Sequence, residues 1–367
     1  MVIGVPREIM EAERRVAVIP ETVRELTAAG HAVRVEAGAG EGSNIPDSLY
    51  AGAGAELTDA RTVWEASDIV MKVKEPLPSS AFGALEADLL REGGCLVAFL
   101  HPANHPDMIC RFRDRRLVTI SMDCIPRTEQ TREMDALASM SLIAGYKAVI
   151  LAADHLPEMM GGCQTPVAAL RGSRVLIVGY GVVGQQAAAT AKGLGAEVVV
   201  VDVRDEAVRR AGEDGYTGVC VPGHDDEAVR RTLDAEAPRS DVVILGALVF
   251  GEHAPLLLTR DTVEKMRPDS VVVDVSVDQG GNCEIVRPGE IYRHNGVTIV
   301  GILNLPGRLP VHSTQLYARN ICRFVLHLTR GGSLNLDDPI VRAATITRDG
   351  EVVHEGTIKA IRAAGLA

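Results

Sequence analysis

The chain has 367 residues, more than one ordinary hydrophobic core holds and enough for two domains of common size. Apolar residues make up 46% and charged ones 24%, as in soluble globular proteins, and aromatics at 3% leave the cores to Ala, Val, Leu and Ile. A formal charge of −11 excludes the basic footprint that a nucleic-acid partner requires. The seven cysteines (Cys95, Cys110, Cys124, Cys163, Cys220, Cys283, Cys322) are odd in number and show no CxxC spacing. That pattern speaks against a disulfide framework or a zinc site and for a reducing compartment, here the cytoplasm. The first residues lack a signal-peptide pattern, and the longest apolar candidate, Ser141 to Ala153, is short for a span and carries Lys147. No metal and no direct membrane insertion are expected.

In chain order, Val2 to Val5 reads as a strand, Pro20 to Ala29 as a helix closed by Gly30 at its C′ position, and Ala32 to Glu36 as the next strand. Asp68 to Lys74 and Cys95 to Leu100 are further buried strands separated by helical segments. Strands alternating with helices imply a parallel sheet covered on both faces. Met134 to His155 is a long, small-residue helical pattern that bridges two domains. Later strands are expected at Asp241 to Leu245, Ser270 to Val275 and Val297 to Val300. Ser313 to Thr329 reads as a helix returning to the first domain. Val353 and its neighbours lie on one arm of a hairpin turned at Asp349-Gly350, and the tail from Gly356 to Ala367 carries a faint helical signal. The expected fold is α/β, two Rossmann-like doubly wound domains with a cleft between them. Residues 1–135 plus 306–367 form a discontinuous substrate domain, and 136–305 form a nucleotide-binding domain.

The stretch that separates these domains chemically is the apolar run Arg174 to Val178 followed by Gly179-Tyr-Gly181-Val182-Val183-Gly184. Gly179 allows the tight turn, Gly181 lets the backbone approach a pyrophosphate, and Gly184 lets helix and strand pack closely. The small-residue helix that follows, Gln185 to Lys192, offers its N-terminus to the phosphates. A second strand, Glu197 to Val201, ends in Asp202, 23 residues after Gly179 and able to accept both ribose hydroxyls of an adenosine. The cofactor expected is NAD rather than NADP, although Arg204 keeps NADP from being excluded.

Four polar residues sit where strand ends place ligands in open α/β sheets. Arg15 can grip a carboxylate with a two-pronged pair, or be a solvated arginine beside Glu13. Lys74 closes an apolar strand before a proline and points into a crevice or to solvent. His101 ends the strand from Cys95 and suits proton transfer, with a structural histidine as the alternative. Asp278 precedes Gly280-Gly281 after a buried strand, and Asp274 is a competing carboxylate that the sequence does not separate from it.

The chain resembles the alanine dehydrogenase and pyridine nucleotide transhydrogenase α-subunit superfamily over nearly its whole length. Ile3-Gly-Val-Pro-Arg-Glu-Ile, Arg15-Val-Ala, Gly30-His31, Glu36-Ala-Gly-Ala-Gly, Lys72-Val-Lys74-Glu-Pro, Leu100-His101 and Asp278-Gln-Gly-Gly281 carry the resemblance. It implies that Arg15 and Lys74 bind an oxo-acid carboxylate or carbonyl, that His101 donates and accepts a proton, and that Asp278 handles water and ammonia. It also implies that Ser141 contacts the cofactor phosphates, and that Asn304 and Leu305 border the nicotinamide. The activity implied is NAD-dependent dehydrogenation of an L-amino acid to an oxo acid and ammonia, or reductive coupling of an oxo acid to an amine, in a homo-oligomeric dimer or hexamer.

Other segments resemble transhydrogenases instead: Asp123 to Tyr146 with Arg127 and Asp135, Leu305-Pro-Gly-Arg-Leu-Pro310, Gln315-Leu-Tyr, and Ile346 to His354. They imply the alternative, a soluble NAD(H)-binding α component of a proton-translocating transhydrogenase with a membrane partner. Arg132 stands where transhydrogenases usually have Gln, Leu100-His101-Pro-Ala-Asn104 varies the dehydrogenases' Leu-His-Leu-Ala, and Gly246 to Gly251 is one residue shorter than the usual pattern.

Overall fold

The computed structural model describes residues 1–221, 225–248 and 254–366. Residues 249–251 of the short Gly246 to Gly251 segment and residue 367 of the tail lie outside the described residues. The chain forms two compact units, Met1–Met140 with Gly307–Ala367, and Ser141–Pro306.

The first unit is built on eight strands. Across its sheet they run Glu351–Val352, Thr345–Arg348, Val118–Ser121, Cys95–Ala98, Ile69–Met71, Val2–Val5, Ala32–Glu36 and Glu56–Thr58. The six strands from the N-terminal segment are all parallel, and the two from the C-terminal segment add antiparallel at one edge. Ile69–Met71, Cys95–Ala98 and Val118–Ser121 are buried at every residue, the mark of strands covered on both faces. The C-terminal hairpin turns at Asp349 and Gly350, both with positive φ (55° and 81°), as a two-residue turn between twisted strands requires.

In the second unit the order is Thr217–Cys220, Glu197–Asp202, Arg174–Val178, Val242–Leu245, Val271–Asp274, Val297–Val300 and Ile291–His294. Six strands are parallel and the last pairs antiparallel at the edge. In both sheets the chain order of the parallel strands runs outward from a central strand in both directions. Val2–Val5 holds that place in one and Arg174–Val178 in the other. Each sheet therefore has a switch point at the carboxyl ends of its central strands, the usual seat of a ligand.

Two elements differ from the sequence expectation in ways that have physical causes. The strand expected over Asp68 to Lys74 is confined to Ile69–Met71; beyond it Lys72 N still donates to Val97 O and Phe99 N to Val73 O, and Pro76, without an N–H, cannot extend the ladder. The bridging helix spans Ala136–His155 rather than starting at Met134, since Glu129–Met134 is a 3-10 turn. With 20 residues and a mean hydropathy of 1.7, it is the one helix among the described residues long and apolar enough to cross a membrane, longer than the 141–153 segment weighed above. Its apolarity has a local explanation: Ala136 and Met140 belong to the core of the first unit, and Ala144, Ala148, Val149 and Ala152 to the core of the second.

The strand–turn–helix of the second unit is closed by contact. A Cβ on Gly184 would lie 1.9 Å from the Gly179 carbonyl oxygen, whereas one on Gly193, at the end of the same helix, would meet nothing within 4 Å. Gly184→Ala is therefore expected to destabilise the protein by about 2 kcal/mol through forced overpacking. Gly193→Ala should stabilise it by roughly 0.5 kcal/mol through helix propensity. Denaturant midpoints of the two variants against the parent check both signs.

Candidate functional site

At the switch point of the second unit, Gly179 has φ +89° and its amide donates to Val201 O, which folds the turn against the neighbouring strand. Gly181 is the N-cap of helix Val182–Gly193, no side chain caps that end, and a Cβ there would enter open space. Val182 and Val183 begin the helix and are half-buried. This cradle fits a pyrophosphate: backbone comes to the surface at a helix N-terminus with no side chain of the described residues within 4 Å of a Cβ at Gly181. Asp202, at the end of the adjacent strand, is buried and fully engaged. Oδ2 accepts from Tyr180 N (2.6 Å) and Arg204 Nη2 (2.8 Å), and Oδ1 from Arg204 N and Nε (both 2.9 Å). Burial alone would raise this carboxyl, but the Arg204 fork and the amides hold it below the usual aspartate value.

The two carboxylates of the Asp274 to Gly281 stretch have separate duties. Asp274 is fully buried: Oδ2 accepts from Asn282 N (2.7 Å) and Cys283 N (2.8 Å), and Oδ1 from Ser276 N (2.9 Å). It ties the loop together. Asp278 sits exposed on the 3-10 turn Val277–Gln279, and its two oxygens accept from Asn304 N at 3.3 and 3.2 Å. Asn304 is half-buried with φ +52°, Leu305 is packed into the core, and Ser141 is half-buried in helix Ala136–His155.

In the first unit, Arg15, Lys74 and His101 follow the carboxyl ends of three neighbouring parallel strands, Val2–Val5, Ile69–Met71 and Cys95–Ala98. Arg15 is buried, which rules out the solvated surface arginine. Its Nε and Nη2 donate to the two oxygens of Glu13 at 2.8 and 2.5 Å, and Nη1 points at Met140 Sδ (3.0 Å). Burial works against the guanidinium charge, and the Glu13 carboxylate more than restores it. Lys72, which sequence reading passed over, is buried between Glu8 (3.0 Å) and Glu86 (3.3 Å). Burial lowers its affinity for a proton and the two carboxylates raise it above the ordinary lysine value. Lys74, two residues on, is half-buried.

His101 adopts φ +44°, a left-handed conformation uncommon outside glycine, and its ring stacks on Phe99 at 5.9 Å and 12°. Its Nδ1 is 3.6 Å from Asp123 Oδ2. Asp123 is itself anchored by Leu100 N (3.2 Å) and by a short bond from the Ser121 hydroxyl. Tyr317, from helix Pro310–Leu328, also packs on Phe99 (5.1 Å) and donates to Lys72 O at 2.7 Å. Asp123, Glu13, Glu8 and Tyr317 support these side chains, and only tertiary contact reveals it: a lone acidic residue or tyrosine carries no spacing signal. Among the described residues no group of three or more His, Cys, Asp or Glu is arranged to hold a metal ion.

Two doubly wound units, one with a glycine-turn dinucleotide cradle, define an NAD(P)-dependent oxidoreductase architecture. Residues 4–144 match the model of the alanine dehydrogenase/PNT N-terminal domain and residues 148–355 that of the C-terminal domain. The chain belongs to the alanine dehydrogenase/PNT family. It is 36% identical to the NAD(P) transhydrogenase subunit alpha of Cereibacter sphaeroides, over 96% of this chain and 71% of that one. It is 35% identical to the alanine dehydrogenase of Bacillus subtilis, over 98% and 94%. Among solved structures, a transhydrogenase from Sinorhizobium meliloti superimposes with a TM-score of 0.88 at 34% identity, covering 96% of this chain and all of that one. An L-alanine dehydrogenase gives the same TM-score at 30% identity with both chains fully covered.

Burial lifts the Asp274 carboxyl from the usual 3.8 to about 6 against the pull of its three amide donors. A carboxyl raised on folding binds a proton in the native chain that the unfolded chain has already released, so it costs stability as pH climbs from about 4 through 6. The stability of the parent relative to Asp274→Asn should therefore fall across that window and level off above it, as read by denaturation midpoints at a series of pH values.

Proposed function

We propose that this chain is an NAD-dependent L-amino-acid dehydrogenase of the alanine dehydrogenase type. It would interconvert an amino acid with an oxo acid and ammonia, or couple an oxo acid reductively to an amine. The observation that carries the reading is the alignment of Arg15, Lys74 and His101 behind three adjacent strand ends at the switch point of one sheet. Binding a dinucleotide alone calls for none of them. Bound NAD supplies the hydride acceptor at the nicotinamide. Arg15, kept charged by Glu13, and Lys74 hold the substrate carboxylate and carbonyl. His101 takes the proton that an ammonium must lose before its Cα–H can leave as hydride, with Asp123 orienting the ring. Asp278 stabilises the cationic imine and steers water and ammonia. Ser141, Val182, Val183 and the three glycines hold the phosphates, Asp202 the adenosine ribose, and Asn304 with Leu305 the nicotinamide side. The protein acts on small molecules, in the cytoplasm, as a homo-oligomer.

A second reading is favoured by one feature. Arg127 pairs with Asp135 at 3.3 Å in the segment that resembles the transhydrogenase NADH loop. In that case the chain is the NAD(H)-binding α component of a transhydrogenase and exchanges hydride with another nucleotide-binding protein at a membrane.

A screen of amino acids and of oxo-acid/amine pairs, followed by NADH absorbance, decides between them: turnover supports the dehydrogenase, and hydride exchange with a second nucleotide-binding protein alone supports the transhydrogenase. On the substrate so found, Arg15→Ala should raise KM with NADH binding intact, since a charge-assisted pair is worth about 1.5–3 kcal/mol. His101→Ala and Asp278→Ala should each lower turnover by roughly a hundredfold or more without abolishing NADH binding. Asp202→Ser should weaken NAD and narrow its advantage over NADP in fluorescence titrations; a parent that binds NADP as tightly as NAD would remove the ribose role of Asp202.

A further inference from the structure

His105 is the residue before helix Pro106–Asp114, yet its imidazole does not cap that helix. Its Nε2 instead lies 3.6 Å from Glu75 Oε1. The Glu75 side chain is nine-tenths buried, and its other oxygen, Oε2, is buried with no hydrogen-bond partner among the described residues. A buried carboxylate oxygen left without a donor is costly, and a water or a protonated imidazole is what satisfies it. The arrangement repeats the one found four residues earlier, where His101 Nδ1 stands 3.6 Å from Asp123 Oδ2. The turn between the two histidines is closed by Asn104 N donating to His101 O at 2.8 Å. Outward access rises along the pair, with the His101 side chain 25% exposed and that of His105 40%.

The charges facing His105 come from several elements. Glu75 and Asp123 favour its protonated form, while His101 and Lys74 oppose it, and burial opposes it most of all. Asp107 stands in the first turn of its own helix, whose N-terminal dipole also disfavours a cation. The net result is an imidazole held below the ordinary histidine value, neutral and ready to accept at neutral pH.

We propose that His105 and Glu75 form a second imidazole–carboxylate pair through which the proton taken up by His101 passes to solvent and returns. This use rests on the dehydrogenase reading. In the oxidative direction the substrate N–H bond breaks, the proton bonds to the His101 ring, moves through water to His105, and is released to bulk; no electrons change place. In the reductive direction the same proton runs inward. Glu75 stabilises the transient His105 cation and so acts as a positioning residue.

The test uses the full chain with 15N-labelled histidine, titrated by NMR. The His105 midpoint should lie below that of a free histidine, fall further in Glu75→Gln, and rise in His101→Gln. A midpoint unmoved by both substitutions overturns the pairing. In steady-state kinetics on an active amine substrate, His105→Gln should lower kcat on the order of tenfold in dilute buffer, leave KM unchanged, and be rescued by imidazole buffer, less than the loss of a general acid–base group itself. A kcat indifferent to both His105→Gln and buffer overturns the relay even where the NMR coupling is present. A parent with no amine-dependent turnover removes the dehydrogenase reading, and the relay with it, while the titration still decides whether the two pairs are coupled.

Discussion

Everything in the second unit is arranged around one close approach. The Gly184 Cα sits so near the Gly179 carbonyl that no side chain fits between them. That contact brings helix Val182–Gly193 down onto strand Arg174–Val178 and turns its free amides outward at the carboxyl edge of the sheet. The small residues behind it, Ala187, Ala188 and Ala191, are buried for the same reason. A larger residue at any of these positions would lift the helix and spoil the cradle before a ligand arrived. Binding geometry and packing are here a single constraint.

The first unit also builds its parallel strands outward from a central one, without the glycine turn, and its switch point is chemically the reverse of that in the second unit. Instead of bare backbone it presents buried charge: Arg15 against Glu13, and Lys72 between Glu8 and Glu86. Buried ion pairs of this kind contribute little net stability, because desolvation offsets most of the Coulomb attraction. Breaking one is costly nonetheless, since the partner is left charged and dry. Such pairs hold long side chains in one geometry. Phe99, in contact with both Tyr317 and the His101 ring, does for the imidazole what the carboxylates do for the cations.

Asp202 and Asp274 show how environment divides the labour of like residues. Both are buried carboxylates at strand ends. Asp202 meets a guanidinium fork and stays readily ionised; Asp274 meets, among the described residues, amide hydrogens alone, and burial pushes its proton affinity up. The first is shared between the Arg204 fork and the Tyr180 amide, and the second holds its loop.

The sequence by itself determined the periodic features. Val- and Ile-rich runs alternating with helical segments define parallel sheets, because only strands covered on both faces tolerate unbroken apolarity. Gly179, Gly181, Gly184 and Asp202 were legible because their spacing is dictated by local backbone geometry, and the Asp349-Gly350 turn because only certain residues accept two positive φ angles. What tertiary structure decided was which of two similar neighbours is buried among partners. Lys72 and Lys74 differ by two positions in an extended segment, and the carboxylates from distant residues 8 and 86 bury the first of them. Asp274 and Asp278 are separated by where the amides of residues 276, 282 and 283 fall. The partners of Arg15, His101 and His105 are likewise set by packing. Electrostatic environment depends on distance in space, and a linear pattern of residue types carries no record of it.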